Sequence, residues 1–312
     1  MWFKGGYSTI VRIATVNSNM SLRGVGRIAR LAQLKISVNE DGSKATVSLP
    51  GFSLDDIDRT GNVSVSRVQR LLTAVRIAAY HTPNLKTGVS FLEYDTLTSD
   101  CLTFMASTKT EVSRDLYTLV NLPELPALQA EIQLGYVGSS SLNSIALLRN
   151  KANGQVLAQN VNQVVTVDKV KRKPTPIPDW WKTKYVPVVS GNQRLIVAPL
   201  EIPDKVYDYQ IHVAWSDIDG YGHTNYVCYI RYCLDSAMDA VKKNYFSKFE
   251  DDILLYHVKD MQISYRGESA AGDVLSVKAW EDESNPYHLY FDIASKGKTI
   301  FQCGMLFHEP LC

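Results

Sequence analysis

Asp217-Ile218-Asp219-Gly220-Tyr221-Gly222-His223-Thr224-Asn225 decides how this chain is read, because it has a fainter copy upstream. That copy, Asp56-Ile57-Asp58-Arg59-Thr60-Gly61-Asn62-Val63-Ser64, is displaced by 161 positions. A second pair of similar strings follows the two turns: Gln133-Leu134-Gly135-Tyr136-Val137-Gly138-Ser139 and Gln262-Ile263-Ser264-Tyr265-Arg266-Gly267-Glu268. The chain therefore reads as a duplicated unit. Where the later copy has His223, Asn225 and Glu268, the earlier one has Asn62, Ser64 and Ser139. Groups able to move protons sit in one half only, which points to one working site per pair of domains.

Working outward, Tyr207, Tyr209, Ile211, Val213 and Trp215 alternate with polar residues and predict a half-buried strand. The motif then forms a turn, with Gly220 and Gly222 supplying backbone freedom. Val227, Ile230, Leu234, Ala237 and Val241 follow at helical spacing, an apolar stripe about five turns long. Strands are expected at 253–265, 274–280, 287–294 and 299–307, the last two joined by a hairpin turn at Ser295-Lys296-Gly297-Lys298. The earlier copy repeats this order. A strand at 45–49 leads to the turn, then to a helix with Val68, Leu71, Leu72, Val75 and Ala79 facing inward. Strands are expected at 130–136, 144–149 and 156–167, with a hairpin at Asn153-Gly154. The earlier copy is longer between its two motif strings, as though about 32 residues were inserted near 91–117. The fold class is α+β: two domains, each a long helix wrapped by an antiparallel sheet.

Between the copies lies a linker. Prolines 174, 176, 178, 187, 199 and 203 exclude a helix or central strand running through it, and Trp180-Trp181 indicates that it packs along the domains. The units are a first domain at 40–170, a linker at 171–199 and a second domain at 200–312. Residues 1–39 differ: Lys4, Arg12, Arg23, Arg27, Arg30 and Lys35 meet no acidic residue. Two readings stand, a mitochondrial presequence or a strand (9–14) and helix of the first domain, so the expected location is cytoplasmic or mitochondrial.

The 312 residues suffice for two cores. A formal charge of +1 shows no basic excess for nucleic acid, and no apolar run is long enough to predict a membrane span. Five cysteines (101, 228, 233, 303, 312) lack metal-ligand spacing and read as reduced, buried thiols, so neither a metal nor another cofactor is expected.

The order strand, Asp-x-Asp-x-x-x-His-x-Asn, long helix, then strands containing Tyr-Arg-x-Glu resembles the hotdog-fold thioesterases, and two such units resemble the acyl-ACP thioesterases of plants and bacteria. The resemblance implies tandem hotdog domains, a role in fatty acid metabolism, and active residues in the second domain. Carried over by motif, these are Asp219, His223, Asn225 and Glu268. Three positions depart from the family pattern: Tyr221 and Tyr226 stand where the family has Asn, and Gly267 where it has Arg. The expected activity is hydrolysis of an acyl-CoA or acyl carrier protein thioester, by a monomer or homodimer.

These residue types suit that chemistry. A turn ending at a helix N-terminus presents unpaired N–H groups and partial positive charge, so amides from Thr224 to Val227 could polarise the thioester carbonyl. Asp219 could attack directly or activate water, His223 could orient that water, Asn225 could hold the carbonyl, and Glu268 is the alternative base. Tyr221, Thr224, Tyr226 and Tyr229 are the expected substrate contacts, and Tyr229 and Tyr232 line core or tunnel. Bland readings exist: Asp at a strand-to-helix junction commonly caps a helix, and a turn glutamate is ordinarily solvated. Asp217 is read as structural because Asp56 matches it, and Arg231, matched by Arg70, as its kind of salt-bridge partner. His81, His212, His257, His288 and His308 are read as structural. The competing functions are a hotdog hydratase or dehydratase acting on acyl thioesters, and a non-catalytic acyl-binding protein.

Overall fold

The computed structural model describes residues 34–122 and 124–309. Of the basic residues that suggest a presequence, all except Lys35 fall at 1–33, outside the described residues. The first unit comprises β1 (Lys35–Val38), β2 (Lys44–Leu49), α1 (Val65–Tyr80), α2 (Tyr94–Asp100), β3 (Leu102–Val112), α3 (Arg114–Thr118), β4 (Leu128–Val137), β5 (Ser141–Asn150) and β6 (Val156–Val167). After α4 (Asp179–Tyr185) come β7 (Tyr207–His212), α5 (Cys228–Lys242), β8 (Val258–Tyr265), β9 (Val274–Glu281), β10 (His288–Ser295) and β11 (Lys298–Phe307).

All strands join one antiparallel sheet in the order β1-β2-β4-β5-β6-β3-β8-β11-β10-β9-β7. With β1 set aside, each half repeats a single order: its first strand, then its third, fourth and fifth, then its second. The duplication read from the two turns is thus a duplication of topology. Both hairpins form with left-handed residues where the sequence places them, at Gly154 (φ 73°) and at Lys296-Gly297 (φ 52° and 75°).

Each long helix lies on its half of the sheet because its apolar stripe has nowhere else to go. In α5, Ile230, Cys233, Ala237 and Ala240 are fully buried, and Asn244 in the left-handed region (φ 53°) ends the helix. In α1 the buried positions are Val65, Val68, Gln69, Leu72, Val75, Arg76, Ala78 and Ala79. The helix ends at His81, whose Nδ1 lies 2.8 Å from Asp95 Oδ1. All four cysteines among the described residues are free and buried. No described helix is long and apolar enough to cross a membrane.

Four expectations need correction. Residues 91–117 are no insertion: they contain β3, the central strand that pairs with β8 and is its topological counterpart. The string at 133–139 lies on β4 and is therefore a chance match to 262–268, since β4 corresponds to β9. The first unit starts by Lys35 rather than 40, because β1 pairs with β2. The proline-rich linker does hold a helix, α4, which fits between Pro178 and Pro187 without containing either. Its Trp181 and Tyr185 are fully buried, and Trp181 Nε1 donates to Leu92 O at 2.8 Å.

Asp217 ties the site's turn to α5. Its carboxylate, 4% exposed, accepts from Arg231 Nη2 at 2.5 Å, Tyr232 OH at 2.7 Å and Ala214 N at 3.2 Å. Asp56 makes the matching bond to Ser53 N at 2.8 Å. Burial alone would raise the Asp217 carboxyl. The Tyr232 hydroxyl, the Arg231 guanidinium and the Ala214 amide outweigh it and hold the group below its ordinary value. A carboxyl lowered by folding contributes stability above the unfolded pKa, and that contribution fades as pH falls through the folded one. Asp217→Asn should therefore cost about 2 kcal/mol at pH 7 in denaturant unfolding. The gap between variant and wild type should close as pH drops below about 4.

Candidate active site

The two turns match bond for bond. Asp219 N donates to His223 O at 2.9 Å and Gly222 N to Asp219 O at 3.0 Å; upstream, Asp58 N donates to Asn62 O at 2.8 Å and Gly61 N to Asp58 O at 3.0 Å. Gly222 and Gly61 both take φ 81°, which explains a glycine at each position. Asp219 Oδ1 accepts from Tyr221 N at 2.8 Å, as Asp58 Oδ1 does from Thr60 N at 2.8 Å. One oxygen of each aspartate is therefore engaged in shaping its own turn.

The difference lies in the side chains above the turn. His223 Nε2 stands 3.3 Å from Glu268 Oε2, with the two side chains 34% and 45% exposed. Glu268 follows the end of β8, and a cluster of hydroxyls fixes its loop to the turn. Thr224 N donates to Ser269 O at 2.8 Å, and Thr224 Oγ1 lies 2.7 Å from Ser269 Oγ. Tyr229 OH lies 2.9 Å from Ser269 Oγ and accepts from Ser269 N at 3.1 Å. Thr224, Tyr229 and Ser269 are buried. Burial is the largest influence on the Tyr229 phenol and pushes it up, keeping it a neutral donor. The structure thus unites His223 with Glu268. Asp219 meets His223 through backbone only, by the bond described above.

Among the amides expected to polarise a carbonyl, three are engaged: Thr224 N as above, Asn225 N to Asp217 O at 2.7 Å, and Val227 N to Asn225 Oδ1 at 3.0 Å. Tyr226 N is the remaining amide of that stretch. With Asn225 Oδ1 held by Val227 N, its Nδ2 is the group left to donate. Tyr221 stands at the tip of the turn and is exposed. Tyr226 points instead to the first half, its hydroxyl 2.5 Å from Thr73 Oγ1 on α1. Gly267, where the resemblance leads one to expect Arg, packs so closely that a Cβ would sit 2.8 Å from Ile300 Cγ2. Ser269 is the residue that the sequence reading missed, and its only sequence signal was adjacency to Glu268. Among the described residues, no group of three or more His, Cys, Asp or Glu could hold a metal ion.

Residues 201–309 match the family model described as the acyl-ACP thioesterase C-terminal domain. No curated protein sequence matches the chain. Among solved structures, the 12:0-ACP thioesterase from Umbellularia californica is 15% identical with a TM-score of 0.61, over 85% of this chain and 97% of that one. A Lactobacillus plantarum protein assigned as an oleoyl thioesterase is 13% identical with a TM-score of 0.64, over 90% and 99%. An acyl-ACP thioesterase from Bacteroides thetaiotaomicron is 16% identical with a TM-score of 0.59, over 87% and 100%. At these identities the structural likeness establishes the fold alone, an α+β fold with a large antiparallel sheet like that of the hotdog thioesterases. Over residues 201–309, the stretch that holds His223 and Glu268, the chain is thus similar to the acyl-ACP thioesterases.

Proposed function

We propose that the chain is a tandem-hotdog enzyme whose second unit hydrolyses an acyl thioester carried by acyl carrier protein or coenzyme A. In this reading the first unit, from Lys35 to about 170, is the non-catalytic copy, 171–199 the linker and 200–312 the catalytic copy. The observation that carries it is the 3.3 Å approach of His223 and Glu268 at the start of α5, where the first turn has Asn62 in place of the histidine.

The chemistry follows from the groups present. A thioester needs an attacking oxygen and a partner for its developing oxyanion; the thiolate leaves with little help. Glu268, half exposed, takes a proton from water while His223 orients the pair. The hydroxide oxygen bonds to the acyl carbon. The oxyanion is held by Tyr226 N and Asn225 Nδ2 beside the partial positive charge of the α5 N-terminus. Collapse breaks the C–S bond, and the proton passes through His223 to the thiolate, leaving a free acid and a thiol. Asp219 supports the turn, and its engaged Oδ1 favours that role over nucleophilic attack. Thr224 and Tyr229 act through Ser269, which sets where Glu268 sits, and Tyr221 is free at the rim to meet the incoming substrate.

Thiol release by purified protein tests this. His223→Ala and Glu268→Gln should each lower kcat by about a hundredfold or more. Asp219→Asn, which keeps the turn's acceptor, should stay within about tenfold of wild type. A collapse of Asp219→Asn to the level of Glu268→Gln would transfer the central role to Asp219. Hydration of an enoyl thioester without thiol release would identify a hydratase instead, and identical low rates for every variant and wild type would identify a binding protein. Tyr229→Phe removes the hydroxyl that holds Ser269. It should lower kcat about tenfold with KM little changed, while stability falls by only about 1 kcal/mol.

A further inference from the structure

The stripe that α1 turns to the sheet is interrupted by two polar residues, Gln69 and Arg76, which are 0% and 3% exposed. The later copy has Ile230 and Ala237 at the matching positions of α5. The sheet beneath shows the same contrast. On its helix-facing side Thr110 pairs with Met261 and Thr108 with Ile263 across the junction of the halves. In the first half the two rows continue as Asn160 and Asn162; in the second they continue as Met305 and Cys303. One interior of the duplicated pair is apolar and the other is lined by hydroxyls, amides and a guanidinium.

Arg76 is the unusual member. It makes four hydrogen bonds, all to neutral oxygens: Ser144 Oγ at 3.0 Å, Ser144 O at 3.3 Å, Asn160 O at 3.0 Å and Leu72 O at 3.5 Å. The titratable groups around it are the Tyr80 and Tyr226 phenols, which burial pushes up and keeps neutral, and no ion pair among the described residues includes it. A buried cation is strongly disfavoured unless an anion compensates it. Two donors of this interior, Gln69 Nε2 and the hydroxyl of Tyr265, whose ring packs on Tyr226, are buried without a hydrogen-bond partner, as is the acceptor Asn160 Oδ1. The same interior adjoins the candidate site, because Tyr226 follows Asn225 directly and its hydroxyl meets Thr73, three residues before Arg76.

We propose that this interior receives the far end of the acyl group and that this end carries a carboxylate, with Arg76 as its counter-ion. The substrate class is then an ω-carboxyacyl thioester. The proposal rests on the thioesterase reading above and adds the identity of the acyl group. A carboxylate supplies acceptors for the guanidinium, for Gln69 Nε2 and for the Tyr265 hydroxyl at once, whereas a methyl-ended chain would leave all three as they are.

The test measures thiol release by the full chain from adipoyl-CoA and suberoyl-CoA beside hexanoyl-CoA and octanoyl-CoA, for wild type, Arg76→Met and Arg76→Lys. Wild type should favour the carboxy-ended member of each equal-length pair by about tenfold or more in kcat/KM. Arg76→Met should abolish the preference while keeping turnover of hexanoyl-CoA, and Arg76→Lys should retain part of it. Equal or faster cleavage of the methyl-ended chains by wild type overturns the proposal and leaves the thioesterase reading intact. Should no thioester be cleaved, the thioesterase reading fails and the anion site is judged by thermal unfolding. Adipate or suberate, but not hexanoate, should then raise the Tm of wild type, and no such difference overturns the proposal. If Arg76→Met does not fold, the wild-type preference and Arg76→Lys decide.

Discussion

The pairing of β3 with β8 is the constraint on which the rest of the molecule depends. Each half would otherwise end in a strand with a row of unpaired N–H and C=O groups, an invitation to association with other chains. The ladder from Ser107↔Ser264 to Glu111↔Asp260 satisfies both edges at once and makes one sheet of eleven strands. It also brings α1 beside α5, so that Thr73 meets Tyr226. Bonds around the junction reinforce it: Tyr117 OH donates to Val258 O at 2.7 Å, and Arg59 forms a two-pronged pair with Asp252 at 2.6 and 2.7 Å.

That junction accounts for the long linker as well. The chain leaves the first half from β6 and enters the second at β7, six strand-to-strand steps away in the sheet order. At about 4.8 Å per step the path is roughly 29 Å, too far for a tight turn. The segment is held down along the way: Ser107 Oγ donates to Leu195 O, Gln163 Oε1 accepts from Leu195 N, and Gln302 bonds both backbone groups of Leu200. These contacts lie on the side of the sheet opposite the long helices. A connection that short helices and prolines stiffen is a structural layer in its own right.

The two halves share the architecture of the turn and differ in the side chains around it. Both aspartates still close their turns through the same bond, which is why the weaker copy could be recognised at all. Proton-handling groups stand at the start of α5, while the polar interior stands under α1. A bound acyl group reaching from the first of these to the second would touch both halves. Neither copy would be sufficient alone.

The sequence by itself determined the local features whose causes are local. His223 and Glu268 became candidates through the resemblance of their motifs to a family pattern; the local features are the paired turns with their glycines, the two amphipathic helices, most strands and both hairpins. Each follows from side-chain periodicity or from backbone conformations that few residues tolerate. Only the tertiary structure decided what depends on partners distant in the chain. It showed that 91–117 holds the central strand β3, which mixed polar residues disguised because they face a polar interior. It separated Asp219, bound up in its own turn, from the His223–Glu268 pair, whose meeting depends on Ser269 and Tyr229 closing a loop that sequence spacing cannot reveal. Arg76 sat in plain view on the helical stripe. That it is buried among neutral oxygens, however, is a fact about three separate segments of chain, α1, β5 and β6, brought together, and no single stretch of sequence contains it.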